Sequence, residues 1–268
     1  YVSNYLVPDR LYLNDGAFHF VDATATAGLD THDSSYMPAC ADLDGDGDTD
    51  VAVATWGRGL MLHENVTARV GAARFVTTRL LLDRPDPETT LGLSTEYLNS
   101  VAVADLDNDG LPELLATSQT GADHLFWNRG RMRFEEAPGF IAGGEPRPPS
   151  EGANFADFDD DGDLDLFVTG TPSGRFYENV GDHLLLRQST LSFPNSNKPR
   201  TLGSAVVDFE GDGDLDLVVG ADAGEALFYE NQANDGRSIM LHVIGPPTNR
   251  SAVGARVSLY DAGASRES

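Results

Sequence analysis

Lysine is almost missing from this 268-residue chain: Lys198 stands alone, the other basic residues are arginine, and the two types together number 18 against 43 Asp and Glu. The formal net charge of -25 excludes a phosphate-backbone binder, which needs positive charge to displace counter-ions, and works against docking on anionic membranes. Long apolar runs are also absent. None approaches the roughly 18 to 20 residues that cross a bilayer. Cysteine is reduced to Cys40, so no intramolecular disulfide can form and cysteine usage indicates no redox compartment. The six histidines show no His-x-His or His-Glu-x-x-His spacing, which removes the common zinc arrangements. There is no Gly-x-Ser-x-Gly elbow, phosphate-binding loop or dinucleotide fingerprint. What is present is 40% apolar residues, 9% aromatics, 28 Gly and 14 Pro, a composition that can bury one or two cores.

The dominant feature is internal repetition, which decides a fold before any local propensity does. An acidic nonapeptide occurs four times, with starts 63, 52 and 51 residues apart. The copies run Asp42-Leu-Asp44-Gly-Asp46-Gly47-Asp48-Thr-Asp50, Asp105-Leu-Asp107-Asn-Asp109-Gly110-Leu111-Pro-Glu113, Asp157-Phe-Asp159-Asp-Asp161-Gly162-Asp163-Leu-Asp165 and Asp208-Phe-Glu210-Gly-Asp212-Gly213-Asp214-Leu-Asp216. Each is preceded by a short apolar segment such as Val101–Ala104, and followed by another such as Val51–Val53 or Leu217–Val219. Short apolar runs bounded by Gly and Asp turns read as buried strands. A third segment ends in Asn65, Asn128, Asn179 or Asn231, which lie 23, 23, 22 and 23 residues after the first Asp. Arg74–Val76 and Met132–Phe134 supply a fourth strand, so the unit is four-stranded. The opening residues fit the second half of such a unit, with Tyr1–Asn4 as a post-loop strand and Leu11–Asn14 as the Asn-ended one. With no initiator Met, the chain is expected to be an N-terminally truncated piece.

The four nonapeptides hold 20 of the 43 acidic residues, so nearly half of the acidity is local and calls for a local counter-ion. Carboxylates packed at alternate positions repel one another by several kcal/mol at an effective dielectric of about 20. Hard oxygen donors at positions 1, 3, 5 and 9, a turn-forming Gly at position 6 and a backbone carbonyl at position 7 match the first part of a Ca²⁺ loop. Magnesium demands near-octahedral geometry and its own waters, so calcium is preferred. The side-chain donors are Asp42, Asp44, Asp46 and Asp50; Asp105, Asp107, Asp109 and Glu113; Asp157, Asp159, Asp161 and Asp165; and Asp208, Glu210, Asp212 and Asp216. The carbonyl donors are Asp48, Leu111, Asp163 and Asp214. Position 12, a bidentate Glu in an EF-hand, holds Val53, Ala116, Val168 and Val219, and the flanks are strands, so the loop joins two strands and not two helices. Four calcium sites are expected, the fourth weaker because Glu210 is longer than the Asp it replaces.

These residues resemble the FG-GAP or VCBS-type repeat of integrin α-subunit β-propellers over roughly residues 1 to 238. The resemblance implies an all-β propeller of four-stranded antiparallel blades whose Asp-x-Asp-x-Asp-Gly-x-x-Asp hairpins hold calcium. It divides the chain into a partial blade at 1–36 and repeats near 37–98, 99–150, 151–200 and 201–238. Leu241–Gly245 and Asn249–Val257 are similar to the opening of the ASPIC/UnbV domain, a small β-rich domain expected at 239–268 and again truncated. That domain follows such propellers in the cartilage acidic protein family, to which Leu11–Gly16, Phe20–Thr24 and Ala27–Leu29 are also similar. Arg74-Phe75 and Leu184–Leu186 depart from the family's pattern, so those blades have drifted. Four units and a part fall short of the about seven of an integrin-like propeller, and open blades expose edges.

The remaining candidates read as structural. His63 takes the slot of Tyr12, Phe126, Tyr177 and Tyr229, a packed ring and not a ligand; Cys40 aligns with Val103, Phe155 and Val206, a buried inert thiol. Arg129, Arg131 and Arg133 read as a solvated strand face. The expected function is a non-enzymatic extracellular, cell-surface or periplasmic module whose calcium ions stiffen the hairpins and whose propeller-face loops bind a protein or glycan, with no nucleic-acid partner and no membrane insertion. The alternative is a polysaccharide lyase or hydrolase on a calcium-bearing propeller. An acidic and basic cluster at the channel mouth would favour the enzyme, and an aromatic face would favour binding.

Overall fold

The computed structural model describes residues 1–29, 33–80, 96–142, 148–172, 174–181, 183–188, 200–222 and 226–232, with 241, 243–245 and 257 beyond them. The segment at 239–268, read as a further domain, otherwise lies outside the described residues. The chain is all-β, with two four-residue helices among the described residues, α1 (Thr24–Ala27) and α2 (Thr67–Val70). A ribbon of β1 (Tyr12–Asn14) and β2 (Phe20–Asp22) comes first. The first blade is β3 (Ser35–Ala41), β4 (Asp50–Thr55), β5 (Leu60–Asn65) and β6 (Phe75–Leu80), antiparallel in sequence order. The second repeats it with β7 (Leu98–Ala104), β8 (Glu113–Ser118), β9 (His124–Asn128) and β10 (Phe134–Glu136). In the third, β12 (Ser150–Ala156), β13 (Asp165–Gly170), β14 (Arg175–Asn179) and β15 (Leu184–Gln188) gain a parallel edge strand, β11 (Ile141–Ala142). The last described sheet is β16 (Thr201–Val207), β17 (Asp216–Ala221) and β18 (Ala226–Tyr229).

Second strands are apolar without alternation because both of their faces are covered; β4, β8 and β13 are buried at every residue. Along β4, Ala52 and Ala54 pack toward the second blade with Leu98, Leu114 and Phe126. Val51 and Val53 pack the other way on Leu11, Ala27 and Leu29 of the N-terminal ribbon and its helix. Leu115 and Phe167 play the same part at the next two interfaces, with Leu166, Val168 and Tyr177, and with Leu217 and Val219. No sheet could bury both faces alone, so the blades must stack. First strands touch their successors, β3 on β7, β7 on β12 and β12 on β16. Each of the four opens with a bulge, between Ser35 and Pro38, Leu98 and Ser100, Ser150 and Ala153, and Thr201 and Gly203. A bulge bends a strand and re-aims the side chains within it.

Three expectations are corrected. Cys40 is exposed, not buried. It lies on β3 and, unlike Val103, Phe155 and Val206 at the same place in the later blades, packs in none of the apolar clusters of the described residues; partial desolvation still raises the thiol pKa. Tyr1–Asn4 is not a strand; it makes a bridge from Val2 to Arg10, and Asn4 O accepts Ser35 N–H at 3.0 Å. The fourth strand of the second blade begins at Phe134 because Arg131 and Met132 adopt φ of 55° and 56°, which no strand allows. His63 is the packed ring expected: fully buried, it contacts the Tyr1 hydroxyl through Nε2 at 3.1 Å and Thr77 Oγ1 through Nδ1 at 2.8 Å. Burial pushes its pKa down to about 4.

Candidate metal centre

Each acidic nonapeptide is the hairpin between the first and second strands of a blade. Position 6 needs a left-handed backbone, with φ of 89°, 91°, 97° and 104° at Gly47, Gly110, Gly162 and Gly213, which glycine adopts without strain. Position 4 is left-handed too, and there Gly45, Asn108, Asp160 and Gly211 are residues that tolerate it. The turn is wound around the position-1 carboxylate: Gly45, Asp46 and Gly47 N–H all donate to Asp42, as Asp161 and Gly162 do to Asp157.

The position-9 carboxylate ties the loop to the blade. Asp50 is fully buried; its Oδ2 accepts Leu43 N–H at 2.9 Å and its Oδ1 accepts Asn65 N–H at 2.7 Å. Glu113 repeats this with Leu106 and Asn128, Asp165 with Phe158 and Asn179, and Asp216 with Phe209 and Asn231. The Asn that ends each third strand then donates its side-chain amide to the position-8 carbonyl, Thr49, Pro112, Leu164 or Leu215. Asn128 and Asn231 also reach the preceding loop, at Leu43 O (2.9 Å) and Phe158 O (2.7 Å). The near-constant spacing in the sequence pointed to these asparagines without revealing that they lock hairpin to third strand and, at Asn128 and Asn231, to the neighbouring loop.

Positions 1, 3 and 9 converge. One carboxylate oxygen from each of Asp42, Asp44 and Asp50 lies within 4.8 Å of the other two, and so do those of Asp105, Asp107 and Glu113, and of Asp157, Asp159 and Asp165. Asp46, Asp109 and Asp161 at position 5 are not in these groups; their Oδ1 atoms accept the N–H of position 7 instead, as does that of Asp212. Position 7 (Asp48, Leu111, Asp163, Asp214) thus contributes its N–H to the turn, leaving its carbonyl as the only donor it was expected to offer. The fourth loop does not assemble a group among the described residues. There Glu210 is long enough to fold onto Asp216; desolvation and that hydrogen bond raise the Glu210 pKa, while the partner side chain and two backbone N–H groups leave Asp216 lowered. Of the four expected sites, three are convergent carboxylate groups among the described residues, and in the fourth loop Glu210 contacts Asp216.

The electrostatics of the three groups are those of anions crowded together. Burial, reinforced by their acidic neighbours, pushes Asp50 and Asp165 up to about 6 and Glu113 up to about 7 in spite of two backbone donors each. Burial raises Asp44 and Asp159 as well. Asp105 Oδ1 is a buried oxygen with no hydrogen-bond partner. A buried acceptor left unmade costs about 1–3 kcal/mol, more when charged. Carboxylate oxygens and a hard divalent cation with 2.3–2.6 Å oxygen bonds match chemically, so Asp42, Asp44 and Asp50 and their equivalents fit calcium.

Two neighbours escaped the sequence reading. The residue before the terminal Asn is Glu64, Glu178 or Glu230, and its charge acts on Asp44, Asp159 or Glu210 at position 3. In the first loop Arg69 answers that charge, with Nη2 at 2.8 Å from Asp46 and 3.3 Å from Asp44, and Nη1 on Glu64. A four-residue helix between β5 and β6 places it there; nothing in the repeat pattern announces it.

Compared with known proteins, the chain matches the FG-GAP-like repeat over residues 1–53, 105–168 and 157–219. It is similar to cartilage acidic protein 1 of Mus musculus, 31% identical over 172 residues that make up 60% of this chain and 25% of the relative. The Xenopus tropicalis protein of that name is 30% identical over 194 residues, 65% of this chain and 29% of the relative. The chain thus spans a quarter or slightly more of these curated relatives. Among solved structures, a lectin of Agrocybe aegerita that recognises non-reducing terminal N-acetylglucosamine aligns with a TM-score of 0.46 and 16% identity, over 84% of this chain and 60% of that one.

Proposed function

Because the chain belongs to the FG-GAP-like repeat family, we propose that it is a calcium-stabilised, non-catalytic binding module of an extracellular protein. The observation that carries the reading is the same convergence of positions 1, 3 and 9 in three successive blades, with the orphaned Asp105 Oδ1 inside one of them. When bound, calcium would supply the positive charge these hairpins lack and cross-link their two strands. The protein's own residues do the rest: Asp50, Glu113 and Asp165 brace each hairpin against the third strand, and Asn128 and Asn231 pass that bracing to the adjacent blade.

A non-catalytic role is supported by the commitment of Asp50, Glu113 and Asp165 to two backbone donors each, which makes them braces of the hairpin. An extracellular setting is supported by the similarity to cartilage acidic protein 1 and by the match between loops of this kind and calcium at 10⁻⁴ to about 10⁻³ M. No helix among the described residues is long and apolar enough to cross a membrane.

Calorimetric titration tests the site count. Three equivalents of Ca²⁺ are expected to bind, and Glu210→Asp is expected to add a fourth by freeing Asp216. A stoichiometry that Glu210→Asp leaves unchanged, or that Asp159→Asn fails to lower, would contradict the assignment of ligands.

A further inference from the structure

The acidic hairpins follow the ends of the first strands, so the bulged beginnings of those strands lie at the opposite end of the blades, about 20 Å away for seven residues at roughly 3.3 Å each. Four aromatic rings meet there. Tyr36, inside the bulge of β3, stacks on Trp56 just after β4, with centroids 4.5 Å apart and planes 15° from parallel. Tyr5 meets both edge-on, at 5.9 Å and 5.7 Å, and Tyr97 is tilted against Trp56 at 5.0 Å. Tyr5 and Tyr97 are 53% and 42% exposed, an unusual outlay of aromatic surface on one face. The rings are held, not loose: Trp56 bridges to Tyr97 through the backbone and donates its Nε1–H to Asn99 Oδ1 at 3.3 Å. The neighbouring bulge of β12 brings Glu151, whose Oε1 accepts Arg200 Nε at 2.9 Å. Asn99 ties Glu151 to the rings, its Nδ2 lying 3.4 Å from Glu151 Oε2 while its Oδ1 accepts the Trp56 indole N–H; desolvation first, then the charges of Tyr5 and Glu151, raise the Tyr36 hydroxyl pKa.

We propose that this cluster is a binding site for a neutral pyranose glycan, which deepens the binding-module reading and rests on it. The exposed ring faces are electron-rich and accept the C–H face of a pyranose, and rigid aromatics lose little conformational freedom on binding. With Arg200 Nε and Nη2 both on Glu151 Oε1, the pair offers equatorial hydroxyls Glu151 Oε2 as an acceptor and Arg200 Nη1 as a donor, the few placed polar groups that orient a ligand on an apolar floor. Arg200 is already neutralised by Glu151, and the chain carries a net -25, so uronate, sulfated and phosphorylated ligands are repelled. The four rings come from the N-terminal segment and two blades: Tyr5 and Trp56 share one repeat position, nine residues before Asn14 and Asn65, whereas Tyr36 and Tyr97 occupy two others, so the cluster is assembled on the repeat and is not a copy of it.

Trp56 reports on the site directly once the other tryptophan, Trp127, which packs edge-on against Phe140 at 5.0 Å, is changed to Phe. Titration of that calcium-loaded protein with cellohexaose, mannohexaose and chitohexaose, each to about 10 mM, is expected to give a saturable change in Trp56 emission with at least one of them, at a Kd of about 1 mM or tighter. Tyr97→Ala and Tyr5→Ala are each expected to weaken it about tenfold or more, while Phe18→Ala, at a 90% exposed aromatic elsewhere, leaves it unchanged. No saturable response to any of the three, or a response indifferent to Tyr97→Ala and Tyr5→Ala, overturns the proposal. The calcium dependence of the melting midpoint, recorded on the same samples, separates that failure from failure of the calcium reading: the glycan site is lost alone if the midpoint still rises with Ca²⁺.

Discussion

Replacing Asp165 by Ala destabilises the calcium-free protein by about 3 kcal/mol, whereas Asp161→Ala, four residues earlier in the same loop, costs less than about 0.5 kcal/mol. The difference is burial and partners. Asp165 is 1% exposed and accepts Phe158 N–H, part-buried in the hairpin, and Asn179 N–H, buried at the end of the third strand. Alanine leaves one buried and one part-buried donor without an acceptor, at about 1–3 kcal/mol for a buried one, and some of that loss is offset because an uncomfortable charge goes with it. Asp161 is exposed and serves only Asp163 N–H at the loop tip. Urea denaturation of the three proteins in EGTA at a pH of about 5, where most of the offsetting charge is already protonated, measures both values. Equal midpoints for Asp161→Ala and Asp165→Ala would mean that the position-9 carboxylate is a ligand alone and not a brace.

In EGTA the protein loses stability as pH rises from about 4 to about 7, the reverse of ordinary acid denaturation. Asp50 and Asp165, with folded pKa values of about 6, and Glu113, at about 7, hold protons in the folded state that the unfolded chain has already released. Raised carboxyls therefore contribute stability below their unfolded pKa near 4, and that contribution is gone once the pH passes the folded value. His63 works in the opposite sense: folded near 4, it stays neutral while the unfolded imidazole titrates near 6.5, so its burial costs stability at low pH and that cost fades as pH rises. One histidine offsets about one of the three carboxyls. His124 adds to the fall above its unfolded pKa, because hydrogen bonds to Glu96 and Glu136 outweigh its burial and raise it. At about 1.4 kcal/mol per pH unit for each group, the net fall is a few kcal/mol, or on the order of 10 °C in the melting midpoint. A midpoint that climbs steadily from pH 4 to 7 in EGTA would show that the hairpin carboxyls are not crowded.

The blades were legible in the sequence because the physics that builds them is local. Two left-handed residues in a nine-residue hairpin demand Gly, Asn or Asp at fixed places, and a strand covered on both faces demands an unbroken apolar run, as in Asp50–Thr55. The position-9 acid was legible for the same reason, although its work as an acceptor for Leu43 and Asn65 was not. What escaped depends on contacts between segments that no spacing relates. Arg69 lies in a connection with no counterpart in the other units, and the Glu210–Asp216 contact turns on one methylene. Cys40 looked buried by analogy with Val103 and Phe155, but those align with it along the strand without sharing its surroundings. Tyr5, Tyr36, Trp56 and Tyr97 come from separate connections and bulges, where repeats vary most and function is usually carried.

Calcium stabilisation of the hairpins is tested most directly by the melting midpoint at a pH of about 7.5 in EGTA and in about 5 mM Ca²⁺. With Kd values of about 10⁻⁴ to 10⁻³ M, each loop contributes about 1–2 kcal/mol by mass action, and three together raise the midpoint by roughly 10 °C. Superimposed melts, with and without the ion, would contradict it.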